Sequence, residues 1–298
     1  MIEHTRRQLG YEDHFAAGVQ DPVFRMPKTP GASTQLGLRQ FVPAVPSDYK
    51  ADYPRTVNQP GNEKRTLGAA LLEHSKVAKF GAHIVEAQSA PAIVDGDMPI
   101  LYSRNQDFRI IRPAQFAIIA DGDNVVASTY PVLSATAEMF DAPSAAVMFT
   151  VSRADSKQIT EDQLEYEIMD SIARGLAREA DRVLTAAVLA TTPANFTLAL
   201  AAAAGVNFKG LRGLVGTNGT AAEIRHDGVL VAEGIEAELT DVMIDTIVGA
   251  WENSAVFISD DIHLIMKRAS VDGSIEVSLF VNMVAAIPDD SLFWTGAA

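Results

Sequence analysis

The stretch "ITEDQLEYEIMDSIARGLAREADRVLTAAVLATTPAN", Ile159–Asn195, decides how this chain is read. Thr160 with Gln163 three positions on has the form of a capping box, and Glu161 and Asp162 stand where a helix dipole favours anions. From there Leu164, Ile168, Ile172, Leu176, Ala180, Val183 and Ala187 keep an i, i+4, i+3 rhythm along one face. Leu164, Ile168, Ile172, Leu176 and Val183 are therefore the expected packing residues. On the outer face Asp170 and Arg174 attract each other, whereas Arg174, Arg178 and Arg182 repel in turn. Pro193 stops the helix. A helix over about 160–190 spans roughly 45 Å at 1.5 Å per residue. With one apolar stripe, it reads as a beam laid across a sheet. Nothing on it has the look of a catalytic group or a metal ligand.

The rest of the composition narrows what such a beam can serve. The chain has 298 residues, 48% of them apolar, which is enough for one large or two modest domains with a real core. It contains no cysteine, so a disulfide framework, a thiol nucleophile and a Cys-ligated zinc site are excluded. "MIEHTRRQLGYEDHF" lacks the apolar core of a signal peptide, and no uncharged apolar run reaches the ~18 residues of a membrane helix. A soluble protein is expected. The formal charge of −14 disfavours a nucleic-acid-binding face. Basic residues gather before residue 80, among them Arg25, Lys28, Arg39, Arg55, Lys64, Arg65 and Lys76, while the last third is acidic. That asymmetry fits complementary surfaces on neighbouring copies, with Arg55, Lys64 and Arg65 as candidate assembly contacts. It fits a solvated basic arm equally well.

Four zones separate along the chain. Residues 1–66 are rich in Pro and Gly, with aromatic residues at Tyr11, Phe15, Phe24, Phe41, Tyr49 and Tyr53. This reads as an extended arm that docks on something. Residues 67–158 open with a short helix and continue with strand candidates: "PILYS", "FRIIR", "QFAIIA", "NVVASTY" and "AAVMFTVS". "DGD" occurs at Asp95–Asp97 and Asp121–Asp123. It suits a hairpin turn, and it lacks the spacing and distal Glu of a calcium loop. The beam follows. After Phe196, helices are expected over "ELTDVMIDTIVGAWENS" and, behind Ser259 or Asp260 as cap, over "DDIHLIMKRAS". Strands are expected at "AVFIS", "SIEVSLFVNMVAAI" and "SLFWTGAA", which makes a mixed α/β unit.

A search for chemistry finds little. No phosphate loop, nucleophile elbow, zincin helix or dinucleotide fingerprint is present. His74, His83, His226 and His263 fall on unrelated elements. His226 beside Asp227 reads as a turn, and His263 as a cap or surface residue. "NFT" and "NGT" match the glycosylation sequon, which matters only in a secreted protein. No catalytic residue, metal ligand or cofactor site is expected, although a site assembled from distant residues would not show in such a reading.

Two stretches carry a resemblance. "VSRADSKQITEDQLEYEIMDSIARGLAREADRVLTAAV" resembles the segment of tailed-bacteriophage major capsid proteins where a strand leads into the long spine helix. "LTDVMIDTIVGAWENSAVFISDDIHLIMKRAS" with "VSLFVNMVAAIPDDSLFWTGAA" is similar to the family's axial domain. Together they cover rather less than half of the chain.

The resemblance implies an α+β chain with the Hong-Kong-97-type capsid fold, shared with bacterial encapsulins. Residues 1–66 would be the N-terminal arm. Residues 67–195 would hold the extended β-loop and the peripheral sheet with its spine helix, and residues 196–298 the axial domain. The sequence stops about where the axial domain should end, so a permuted connectivity is expected, with a sheet strand moved ahead of the spine helix. A sheet strand drawn from residues 271–298 would overturn that idea.

In function the resemblance implies a non-enzymatic major capsid protein that self-assembles into hexamers and pentamers of an icosahedral shell around double-stranded DNA. It further implies assembly in the host cytoplasm, residence in the virion, and scaffolding, portal and cement proteins as partners. An encapsulin-like shell around a protein cargo, and a soluble α/β enzyme, are the alternatives.

Overall fold

The computed structural model describes residues 33–43, 65–87, 93–94, 99–100, 106–114, 116–119, 121, 124, 127–139, 142–268 and 272–297. In chain order the strands of the first part are β1 (Ser33–Leu36), β2 (His83–Ala87), β3 (Ile93–Val94), β4 (Pro99–Ile100), β5 (Gln106–Ile111), β6 (Val132–Ala137) and β7 (Ser144–Val151). Helices α1 (Leu67–His74) and α2 (Lys76–Lys79) lie between β1 and β2. After β7 come α3 (Arg153–Gln158), the long α4 (Glu161–Ala190) and α5 (Leu198–Ala203). The remainder is β8 (Arg212–Val215), β9 (Ala222–Ile224), β10 (Leu230–Ala232), β11 (Ile235–Leu239), β12 (Ile247–Gly249), β13 (Ala255–Ser259), β14 (Ile262–Arg268), β15 (Ile275–Ala286) and β16 (Phe293–Thr295).

The expected beam is α4, 30 residues long, and it starts as read: Thr160 Oγ1 accepts from the Gln163 N–H at 3.3 Å. Leu164, Ile168, Ile172 and Leu176 are buried in the core. Val183 is only half-buried, and Leu184 and Val188 take the core positions instead. The reason is the spacing. Buried residues recur every four positions from Leu164 to Val188. A helix turns every 3.6 residues, so each step of four advances the buried stripe by about 40°. Over the whole run the stripe winds roughly 240° around the helix. An i+3 step near the end would have kept it on one side.

The first sheet is built around the 12-residue β15. β7 pairs antiparallel with one edge of β15, and β13 and β14 pair antiparallel with it in succession. Ile258 faces Met283 and His263 faces Phe280. Four residues, 259–262, thus stand against two, 281–282, on the other strand, a bulge at Ser259–Asp261 that lets two strands run on as one. β2 joins β13 in parallel and β1 joins β14 antiparallel. The second sheet has the order β16-β12-β8-β11-β10-β9. Gly249 in β12 is required there, since a Cβ on it would meet Phe293 Cδ1 at 2.3 Å.

Each face of the first sheet has its own cover. Val256, Ile258, Ile262, Leu264, Val277 and Leu279 belong to the large core that includes α4. Phe257 and Ala255 turn the other way, into a small cluster with Ala87, Ala137, Met139 and Ala286, with Phe108 and Ala135 packed against it. The β5–β6 hairpin therefore covers the face opposite α4.

The architecture is α+β, with a long helix on a sheet, an extended hairpin and a second sheet, which are parts the resemblance implies. Several details correct the sequence reading. The permuted connectivity is overturned by its own criterion, because the strand at the heart of the first sheet comes from Ile275–Ala286. Residues 196–298 are accordingly divided between the two sheets. The expected helix over "ELTDVMIDTIVGAWENS" is the end of β11, a loop, β12 and a single 3-10 turn at Trp251–Asn253. The expected helix over "DDIHLIMKRAS" is β14. The hairpin is β5 with β6, and the described part of "QFAIIA" and "NVVASTY" belongs to the connection between them rather than to strands. Asp95–Asp97 lies outside the described residues, as do Gly122 and Asp123 of the second "DGD".

Candidate assembly surfaces

The connection from Ile111 to Tyr130 puts large apolar side chains into water. Ile111 is 83% exposed, Phe116 97%, Ile118 104% and Tyr130 80%. Apolar atoms on a surface are ordinary, but several bulky apolar residues so fully exposed on one connection are not. The base of the loop is tied to the second sheet: the Arg112 guanidinium pairs with the buried Asp289 carboxylate, which also accepts from the Ser291 N–H and hydroxyl. A cleft of about 810 Å³ lies beside this tie, between Ile110–Ala114, the Thr191–Ala194 turn after α4, and Ala250, Glu252 and Asn253 with Asp290–Trp294.

A second apolar opening of about 330 Å³ runs between α4 and β7, lined by Ala145, Val147, Phe149, Ile172, Gly175 and Leu176 among others. Val147 lies on the same face as Leu279, its partner across the strands, yet is half exposed because α4 does not reach over β7. At Gly175 nothing stands within 4 Å of where a Cβ would be. Among the described residues no strand pairs with the outer edge of β7.

On the other side of α4, two carboxylates hold α1 and α2. Asp170 and Asp181 are eleven residues apart, which brings them within about 20° of one another around the helix. Asp181 is buried and accepts from Ser75 Oγ at 2.6 Å, the Lys76 N–H at 3.0 Å and the Val77 N–H at 3.1 Å. It completes the cap that Ser75 begins for α2. Burial pushes its carboxyl above the usual range, against the hydrogen bonds that favour the anion. Asp170 accepts from Arg65 Nη2 at 2.8 Å and from Arg174 Nε at 2.8 Å.

Arg65, a candidate assembly contact in the sequence, is thus engaged inside its own chain, with Glu73 as a second partner at 2.6 Å. Its partner Asp170 lies 105 residues away on α4, a pairing that cannot be seen before the fold is known. Arg55 and Lys64 lie outside the described residues. Arg178 and Arg182 also find partners, Asp241 at 2.9 Å and Glu179 at 2.5 Å. His226 sits in the Arg225–Gly228 turn, as read. His263 is on β14 rather than at a helix cap, with Nε2 2.8 Å from Asp261 Oδ1.

The enzyme alternative called for a perturbed acid in a pocket. Asp181 is the buried acid whose carboxyl is pushed up, and neither it nor the buried Glu165 and Asp289 line either opening. Among the described residues no group of three or more His, Asp or Glu could hold a metal ion.

No protein-family model matches the sequence, and no curated protein does. Solved structures similar to this chain include the capsid of a native GTA particle, with 12% identity over 83% of this chain and 95% of that one, and a TM-score of 0.44. Another is the satellite phage P4 procapsid with its size determination protein, at 11% identity, 77% and 96% coverage, and 0.45. A third is the virus-like particle from Pyrococcus furiosus, at 13% identity, 78% and 96% coverage, and 0.43.

Proposed function

We propose that this chain is a shell-forming protein, the major capsid protein of a tailed phage, whose copies assemble as hexamers and pentamers of an icosahedral head. The observation that carries this reading is the projecting loop, with Ile111, Phe116, Ile118 and Tyr130 exposed in a single copy. A chain that works alone has no use for such a surface, while a chain that meets its own kind covers it. The free apolar edge of β7 on the described residues supports the same reading, since long exposed edges invite pairing. The rigid α4 suits a subunit that must hold its shape under load from several neighbours.

Packaged double-stranded DNA, scaffolding, portal and cement proteins, and assembly in the host cytoplasm belong to this proposal. So does an assembly role for Arg55 and Lys64. Reversal of Arg65 to Glu would instead break an intrachain pair and lower the melting temperature. Negative-stain electron microscopy of the purified protein, with nuclease-protection of its contents, tests the proposal. Closed shells protecting DNA support it. Shells holding only protein would mean a cargo compartment, and a monomer at all concentrations would overturn the shell reading.

A further inference from the structure

His74 ends α1 and faces the middle of α4. Its Nε2 is buried and has no hydrogen-bond partner among the described residues. Asp170 Oδ1 lies 4.0 Å away, beyond hydrogen-bond reach. Both oxygens of Asp170 are already taken, one by Arg65 and the other by Arg174. The charges around the imidazole are Glu73 on its own helix, Arg65 on the chain entering it, and Asp170 and Arg174 on α4. The Tyr166 phenol of α4 stands beside the same groups.

With a neutral imidazole, two guanidinium groups balance two carboxylates. A proton on His74 adds a third cation to a partly buried site whose anions are already committed. We propose that His74 is a proton-operated release for the chain that enters α1. On acidification the imidazolium competes for Asp170, and one arginine must leave. Arg174 is fixed on the same helix four residues from Asp170, so Arg65 yields. Arg65 O accepts from the Val42 N–H at 3.0 Å, and Leu38 O and Gln40 O accept from the first residues of α1. Loosening Arg65 therefore loosens the 38–43 strap as well.

Burial, then Arg174, holds the His74 pKa below its ordinary 6.5, as the geometry requires. For a base with a lowered folded-state pKa, the stability is complete above the unfolded-state value. It is lost as pH falls below about 6.5 toward the lowered one. The device is a property of one copy and stands whether or not the chain builds a shell.

The test is hydrogen–deuterium exchange of residues 65–74 in the full chain at pH 7.5 and 5.0, corrected for intrinsic exchange, with residues 180–190 as reference. Wild type should lose about tenfold protection at 65–74 relative to the reference, and His74→Gln should lose none. Equal loss in both proteins, or none in wild type, overturns the proposal. Should His74→Gln fail to fold, the wild-type imidazole resonance decides. Its titration must track the change in exchange, and titration at 6.5 without a matching change overturns the release.

Discussion

The two faces of the first sheet are covered by different means. On the α4 face, Leu, Ile, Val and Met side chains from both layers interlock, and Asp170 and Asp181 tie α1 and α2 to the far side of the same helix. On the hairpin face, Phe257 and Met139 sit among Ala87, Ala137, Ala255 and Ala286, with the His83 and Phe108 rings 5.3 Å apart at the margin. Branched side chains in register resist sliding, whereas a thin bed of alanines lets a covering element shift without opening large voids. The α4 face thus defines the folded unit, and the hairpin face seats a part whose outer loop leaves Phe116 and Ile118 exposed.

Breaking the α4 face should have the largest effect. Ile172→Asp buries a carboxylate with no partner and should cost about 4 kcal/mol or more, read by denaturant unfolding. A soluble mutant of wild-type midpoint would show that this face is not a core. On the hairpin face, Phe257→Ala should cost about 3 kcal/mol, at the low end for such a change because β5–β6 can settle toward the alanines. Loss equal to that of Ile172→Asp would erase the distinction between the faces.

Asp181→Ala tests the polar half of the α4 attachment. It leaves the Lys76 and Val77 N–H groups and the Ser75 hydroxyl without their acceptor, for about 2 kcal/mol. Exchange should rise at residues 75–79 ahead of the rest of the chain. The smallest effect belongs to the projecting loop. Phe116→Ser with Ile118→Ser should change subunit stability by no more than about 0.5 kcal/mol. Assembly followed by light scattering should nevertheless fail, and wild-type particles formed at the wild-type rate would remove the loop from the contact.

The legible parts of the fold were those governed by local rules. Thr160 and Gln163 announce the start of α4, and its length outruns any strand reading. "AVFIS" and "SIEVSLFVNMVAAI" show themselves by β-branched density. The segment from Glu238 to Ser254 was read as a helix because Leu239, Met243, Ile244, Ile247, Val248 and Trp251 recur at helical spacing. In the fold Ile247 and Val248 are buried between β8 and β16, and pairing with neighbours distant in sequence overrides that spacing. For β14 the signal was present: Ile262, Leu264 and Met266 are buried while His263 and Ile265 between them are only half-buried. Ser259 and Asp260 suggested a helix cap and hid that alternation. The candidate surfaces depend on what α4 fails to cover and on where β5–β6 docks, and neither follows from local pattern.

The winding of the buried stripe on α4 has a mechanical consequence. A rod gripped along a single side can roll about its axis while keeping most of its contacts. One gripped along a spiral of roughly 240° cannot, because any rotation that relieves one end drives the other into its neighbours. The helix therefore behaves as a torsion bar between the sheet it crosses and the second sheet it leads to through Phe196, whose N–H donates to Thr295 O at 2.8 Å. A twist applied to the helix is carried into both sheets instead of being relieved by rolling.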